Sequence, residues 1–281
     1  CSRDWSSDVC SSDLRLRWSW GVVSHLNGVC NSPELREAHA AQQGAVVAFG
    51  NRAGQSQVIY RALERLQTQA DSGDAPLDGA QRRILAAELR DMQLRGVGLR
   101  GAEQEAFNAA SQELAELSTR FGNQVLDATN GWTLRLTEAA EVEGLPASLL
   151  EQLAQAARAA GDDDASGTSG PWLLGLDMPR YAPFMKYSRR RDLRERVYKA
   201  HVSRASGQDD SGRNNWPLIE RILSLRGEQA RRLGYANWAE VSLAAKMADS
   251  EAAVEALLEE LRAAAHPVAQ QELQALRDCA Q

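Results

Sequence analysis

Residues 102–137 leave few choices of architecture. Phe107, Ala110, Leu114, Leu117, Phe121 and Val125 recur at steps of three and four, which lines them up on one stripe of a helix. Glu103, Gln112, Glu113, Glu116 and Arg120 occupy the other faces. Asn130-Gly131 is a turn signal that ends the helix. Beyond it Trp132, Leu134 and Leu136 alternate with Thr133, Arg135 and Thr137, the period of a strand with one buried face. A long core helix therefore hands the chain to a strand, and the segments on either side must pack against both. Phe121, at the middle of the stripe, is expected to be buried against that strand and a neighbouring helix.

The remaining segments read mostly as helices. Ser32 followed by Pro33 and Glu34 is a helix start, since a serine can cap, a first-turn proline gives up an N–H that has no partner there, and an acid complements the helix dipole. Val58, Ile59, Ala62, Leu63 and Leu66 mark a further helix, and Asp78 with Gln81 makes a capping-box start for a helix carrying Ile84, Leu85, Leu89 and Met92. Pro146 opens a helix containing Leu149, Leu150, Leu153 and Ala157, and Trp172, Leu174 and Leu176 form a second strand able to pair with the first. Between Asp177 and Met185 two prolines, Pro179 and Pro183, are expected to exclude regular helix. Ser188 is expected to start a helix with Leu193, Val197 and Ala200 inward. Pro217 opens a helix closed by Gly234, and Ser250 caps a final one that Pro267 should kink. The fold class expected is mostly α, a multi-helix domain with one small two-stranded β element at 132–137 and 172–176.

Residues 1–14 do not fit this grammar. Ser6-Ser7-Asp8-Val9-Cys10 is followed at once by Ser11-Ser12-Asp13-Leu14, a near-duplication resembling a translated sequencing adapter. The domain organisation expected is a non-native or disordered leader over 1–14, giving Cys1 and Cys10 no role, and a helical body over 15–281. That body is still helical in pattern at Gln281.

Bulk properties exclude several function classes. A net charge of −6 gives no general attraction to nucleic acid or anionic membrane. No apolar run approaches the ~20 residues of a membrane helix. The four cysteines are scattered and too few for a disulfide scaffold at this size, so the compartment expected is the reducing cytoplasm.

Local motifs resemble one family. Trp20-Gly21-Val22-Val23-Ser24-His25-Leu26-Asn27, then Asn31-Ser32-Pro33-Glu34-Leu35-Arg36, open the likeness. Asn123-Gln124-Val125-Leu126-Asp127-Ala128-Thr129 with Trp132, the run containing Pro179, Tyr181, Pro183 and Met185, and Tyr198 with Ser203-Arg204-Ala205-Ser206 continue it. Leu223 to Trp238, with Gly234-Tyr235-Ala236-Asn237-Trp238, followed by Lys246-Met247-Ala248, is the clearest part. Together these resemble the zinc oligopeptidases of the oligopeptidase A and thimet oligopeptidase family over about residues 15–281. The resemblance implies a neurolysin-like helical part forming one wall of a deep channel, with a zinc-bearing half as the other. Such a channel would admit short peptides and exclude folded proteins.

The chemistry of that family needs His-Glu-x-x-His on a helix, which sets two imidazoles on one face around the zinc with the Glu as base for its bound water. Here His25, His39, His201 and His266 are followed by Leu26, Ala40, Val202 and Pro267, and no two are three to five residues apart. The chain is thus expected to be the N-terminal, non-catalytic portion of a metallopeptidase. No catalytic, cofactor-binding or metal residue is assigned. Zinc belongs to the parent enzyme and none is expected in this portion, and the partners implied are short peptide substrates and the missing C-terminal catalytic half. His25 reads as a packing histidine. Asp162-Asp163-Asp164 lacks the spacing of a calcium hand, and Cys30 and Cys279 have no local signature. Arg189, Arg190, Arg191, Arg194 and Arg196 crowd a helix start; they read either as a solvated, salt-bridged face or as a dock for a peptide carboxylate, and in both cases an acid should lie near. The competing reading of the whole chain is a stand-alone helical scaffold or binding module without catalysis.

Overall fold

The computed structural model describes residues 5–208 and 212–280, with side-chain surroundings from Leu14 onward. The element order is α1 (Trp5–Val29), α2 (Pro33–Gly54), α3 (Gln57–Ser72), α4 (Gly79–Leu94), α5 (Gly101–Gly131), β1 (Thr133–Leu136), a 3-10 turn (Ala139–Val142), α6 (Ala147–Ala159), β2 (Trp172–Gly175), α7 (Met178–Tyr187), α8 (Arg191–Val202), α9 (Trp216–Arg232), α10 (Trp238–Leu243) and α11 (Glu251–Cys279). This is the mostly α fold with a small β element that the periodicities predict. Of the leader, residues 1–4 lie outside the described residues, and α1 begins at Trp5. The chain divides into two compact units, one of residues 1–35 and 115–222, the other of residues 36–114 and 223–281.

The first unit is built on two short strands. β1 and β2 pair antiparallel with Leu134 opposite Leu174 and Leu136 opposite Trp172. The alternation in β1 works as read: Leu134 and Leu136 are buried while Thr133 and Arg135 face water. Onto the buried face come Leu149, Leu153, Ala154 and Ala157 of α6, Phe184 of α7, and Leu193 and Val197 of α8. Gly144, just before α6, has φ +87°, and a Cβ there would stand 2.5 Å from the Tyr187 carbonyl oxygen. Only glycine fits that close approach of backbone to backbone.

Two expectations fail in this unit. The prolines do not prevent helix: Met178–Tyr187 is α7, with Pro179 in its first turn and Pro183 inside it. Pro179 gives up an N–H that no helical carbonyl would have received. Pro183 does forgo one bond, but the helix is anchored by Arg180 and Tyr181 N–H donating to the Asp177 carbonyl at 3.1 and 2.8 Å and by the complete burial of Phe184. Tertiary burial outweighs the local penalty. Ser188 likewise does not start α8. It is buried and ends α7, its N–H donating to the Phe184 carbonyl at 3.0 Å, and its hydroxyl receives the Arg190 N–H at 3.2 Å in the connecting turn. Helix α8 begins at Arg191.

The second unit is organised by an amide network. Gln55, buried between α2 and α3, donates from Nε2 to the Arg95 carbonyl at 2.9 Å and to Asn108 Oδ1 at 2.7 Å. Its Oε1 accepts from Gln104 at 2.9 Å and from Asn108 at 3.2 Å. Gln57 donates to the Val97 carbonyl at 2.5 Å. The turn after α4 is thus tied to the start of α5 and to the α2–α3 junction, with Val97, Leu85, Leu89, Met92 and Phe107 buried. Gln229 of α9, also buried, donates to Ser111 Oγ at 2.8 Å. The caps read from sequence are in place. Asp78 and Gln81 form a complete capping box, Ser32 Oγ accepts from Leu35 N–H at 3.2 Å, and Ser250 Oγ accepts from Ala253 N–H at 3.1 Å. Helix α11 runs on through Pro267.

The central stripe is the third correction. Along α5 only Phe107, Ala110 and Ala128 are buried, whereas Leu114, Leu117, Phe121 and Val125 are half-buried. Phe121 lies outside the β1–β2 core. A 31-residue helix spans ~46 Å at 1.5 Å per residue, so no single layer covers all of it. Leu136→Ala, at a fully buried position, should cost about 2–5 kcal/mol. Phe121→Ala should fall below the ~3–5 kcal/mol of a fully buried phenylalanine. Urea midpoints of the two variants check the order. Gln55→Leu strands the Asn108 and Gln104 amides and the Arg95 carbonyl together, and a loss of about 1–3 kcal/mol or more is expected in the same measurement.

Candidate functional site

The histidines that could carry metal chemistry sit on four different helices. His25 is exposed on α1, His39 is buried on α2, His201 is half-buried on α8 and His266 is exposed on α11. Among the described residues no three His, Cys, Asp or Glu side chains gather to hold a metal ion. The described residues thus do not fit a zinc ion. Cys30 and Cys279 are free and exposed. Cys1 lies outside the described residues, as does the side chain of Cys10.

His201 has a defined role in packing. Its ring stacks on that of Tyr181, with centroids 3.9 Å apart and planes at 15°. Arg204 donates through Nε to the His201 carbonyl at 2.8 Å and through Nη1 to Thr129 Oγ1 at 2.9 Å. This joins the ends of α5 and α8 to α7. Burial, and then the Arg204 charge, hold the His201 imidazole below its ordinary pKa. Burial, with Tyr198 nearby, pushes the Tyr181 phenol up, opposed in part by Arg204. The family-like residues Tyr181, Tyr198 and Arg204 thus meet in one polar-aromatic knot, which their distance in sequence conceals.

The basic run at the start of α8 finds its acids. Arg190 grips Asp192 through two bonds of 2.9 and 2.7 Å. Arg189 reaches Glu143 at 2.7 Å, and Arg194 donates to the Ser188 carbonyl. Hydrogen bonding to Arg190 holds the Asp192 carboxyl below the usual range. Arg191 and Arg196 are exposed. The arrangement is the salt-bridged face; Arg189, Arg190 and Arg194 are engaged within the chain. Asp162 is paired to Arg135, and Asp163 and Asp164 face solvent.

One open groove in the second unit is lined by Glu103, Glu228, Arg231 and Arg232. Arg232 contacts Glu103 at 3.1 Å and Glu228 at 3.4 Å, so two acids and two bases balance. The groove lining offers no hydroxyl, thiol or imidazole side chain. The most conspicuous surface is instead apolar. On α11, Leu257, Leu258, Leu261, Val268, Leu273 and Leu276 are each 47–68% exposed. No described helix is long and apolar enough to cross a membrane.

Against this geometry the likeness to known proteins is extensive. Residues 11–104 match the family described as Neurolysin/Thimet oligopeptidase, N-terminal domain, and residues 184–281 match Peptidase family M3. The chain belongs to peptidase family M3. It is 42% identical over 266 residues to a protein of Arabidopsis thaliana named probable cytosolic oligopeptidase A, covering 95% of this chain and 37% of that relative. The organellar oligopeptidase A of the same plant is 42% identical over 266 residues, 95% of this chain and 33% of its own length. Oligopeptidase A of Escherichia coli is 39% identical over 259 residues, covering 91% and 36%. The chain therefore spans 33–37% of the length of these three relatives. Its first-unit core from Leu134 to Leu176 falls between the two family matches but inside the span shared with the M3 oligopeptidases.

The His201 environment predicts a pH dependence. The unfolded chain takes up this proton near the ordinary value of 6.5, the folded chain only at lower pH. Stability from the neutral imidazole is thus fully present above 6.5 and is lost as pH falls through that value toward the folded pKa. Thermal midpoints between about pH 7.5 and pH 5 should decline more steeply for the natural chain than for His201→Gln. Parallel curves would show that His201 makes no such contribution.

Proposed function

We propose that this chain is the non-catalytic helical part of a zinc-dependent oligopeptidase that hydrolyses short peptides. The observation that carries the reading is identity of 42% sustained over 266 residues with a protein named for that activity. In this reading the chain forms one wall of the substrate channel, and zinc with its ligands is supplied by the catalytic half that the relatives' greater length accommodates. Selection is then by size, because a channel between two walls admits an extended peptide and rejects a folded domain. The exposed apolar side chains of α11 support a covering partner, since six of them follow one another along a single helix. The cytoplasm is the compartment proposed, which suits two free exposed thiols. Residues 1–14 are proposed to be a leader without a part in the function.

A chimera tests this. Joined to the part of the Arabidopsis relative that follows the matched span, the chain should give chelator-sensitive cleavage of a short unstructured peptide and leave a folded protein intact. The chain alone should hold no stoichiometric zinc and cleave neither. A folded chimera without peptidase activity would favour the scaffold reading instead.

The stripe gives a separate test. Leu257→Lys with Leu261→Lys should lower hydrophobic-dye binding by the chain alone and leave its unfolding free energy, read from urea titration, within about 0.5 kcal/mol. In the chimera the same pair should reduce activity by loosening the covered face. Unchanged dye binding would show that α11 is not the apolar surface in question.

A further inference from the structure

We draw no further inference here: the strongest candidate, the apolar stripe of α11 from Leu257 to Leu276, is an unpartnered helix face, and nothing in the structure shows what covers it.

Discussion

Antiparallel pairing of β1 with β2 is the constraint on which the first unit depends. Two four-residue strands are too short to persist alone in water. They persist because Leu134, Leu136, Trp172 and Leu174 are sealed by α6, α7 and α8. The pairing fixes where α6 must return, since the helix lies in the connection between the strands. It also explains the tolerance of α7 for Pro183. Phe184 is needed at the bottom of this core, and its burial holds a helix that local preference would not select. Register matters for the same reason. A slip of one residue would turn Thr133 and Arg135 inward.

The second unit solves a different problem with polar groups. Turns between helices leave carbonyls without partners, and here Gln55 and Gln57 donate to those of Arg95 and Val97, while Gln104 and Asn108 donate to Gln55 Oε1. Because each Gln55 amide atom is used, the network avoids the penalty of a half-satisfied buried group. The cost is sensitivity, since one substitution exposes several partners at once. Such a network also specifies geometry more narrowly than apolar packing can, because amide bonds have direction.

Local signals were legible in the sequence where the physics is local. The caps at Ser32, Asp78 and Ser250, the alternation of Leu134 and Leu136, and the acid paired with Arg190 all follow from near neighbours, whereas Arg189 finds Glu143 across 46 residues. Phe121 and α7 were misread because burial is a property of the assembled layers. A stripe tells which face of α5 is apolar and does not tell which stretch of it is covered. The Gln55 network left no signal, as side-chain amides separated by 49 and 53 residues have no periodicity to betray them. The site was legible chiefly through motif likeness. The lack of His-Glu-x-x-His could be read directly, whereas the meeting of Tyr181, His201 and Arg204 required the fold.

Helix α11 carries one more consequence. Beyond Val254 every described residue of it is exposed, so little tertiary burial holds its last turns. Their backbone amides are then protected by helix–coil equilibrium alone, in which ends fray and nucleation is costly. Hydrogen exchange along α11 should therefore quicken beyond Val254 and proceed independently of global unfolding, so that the helix behaves in solution as a gradient of order.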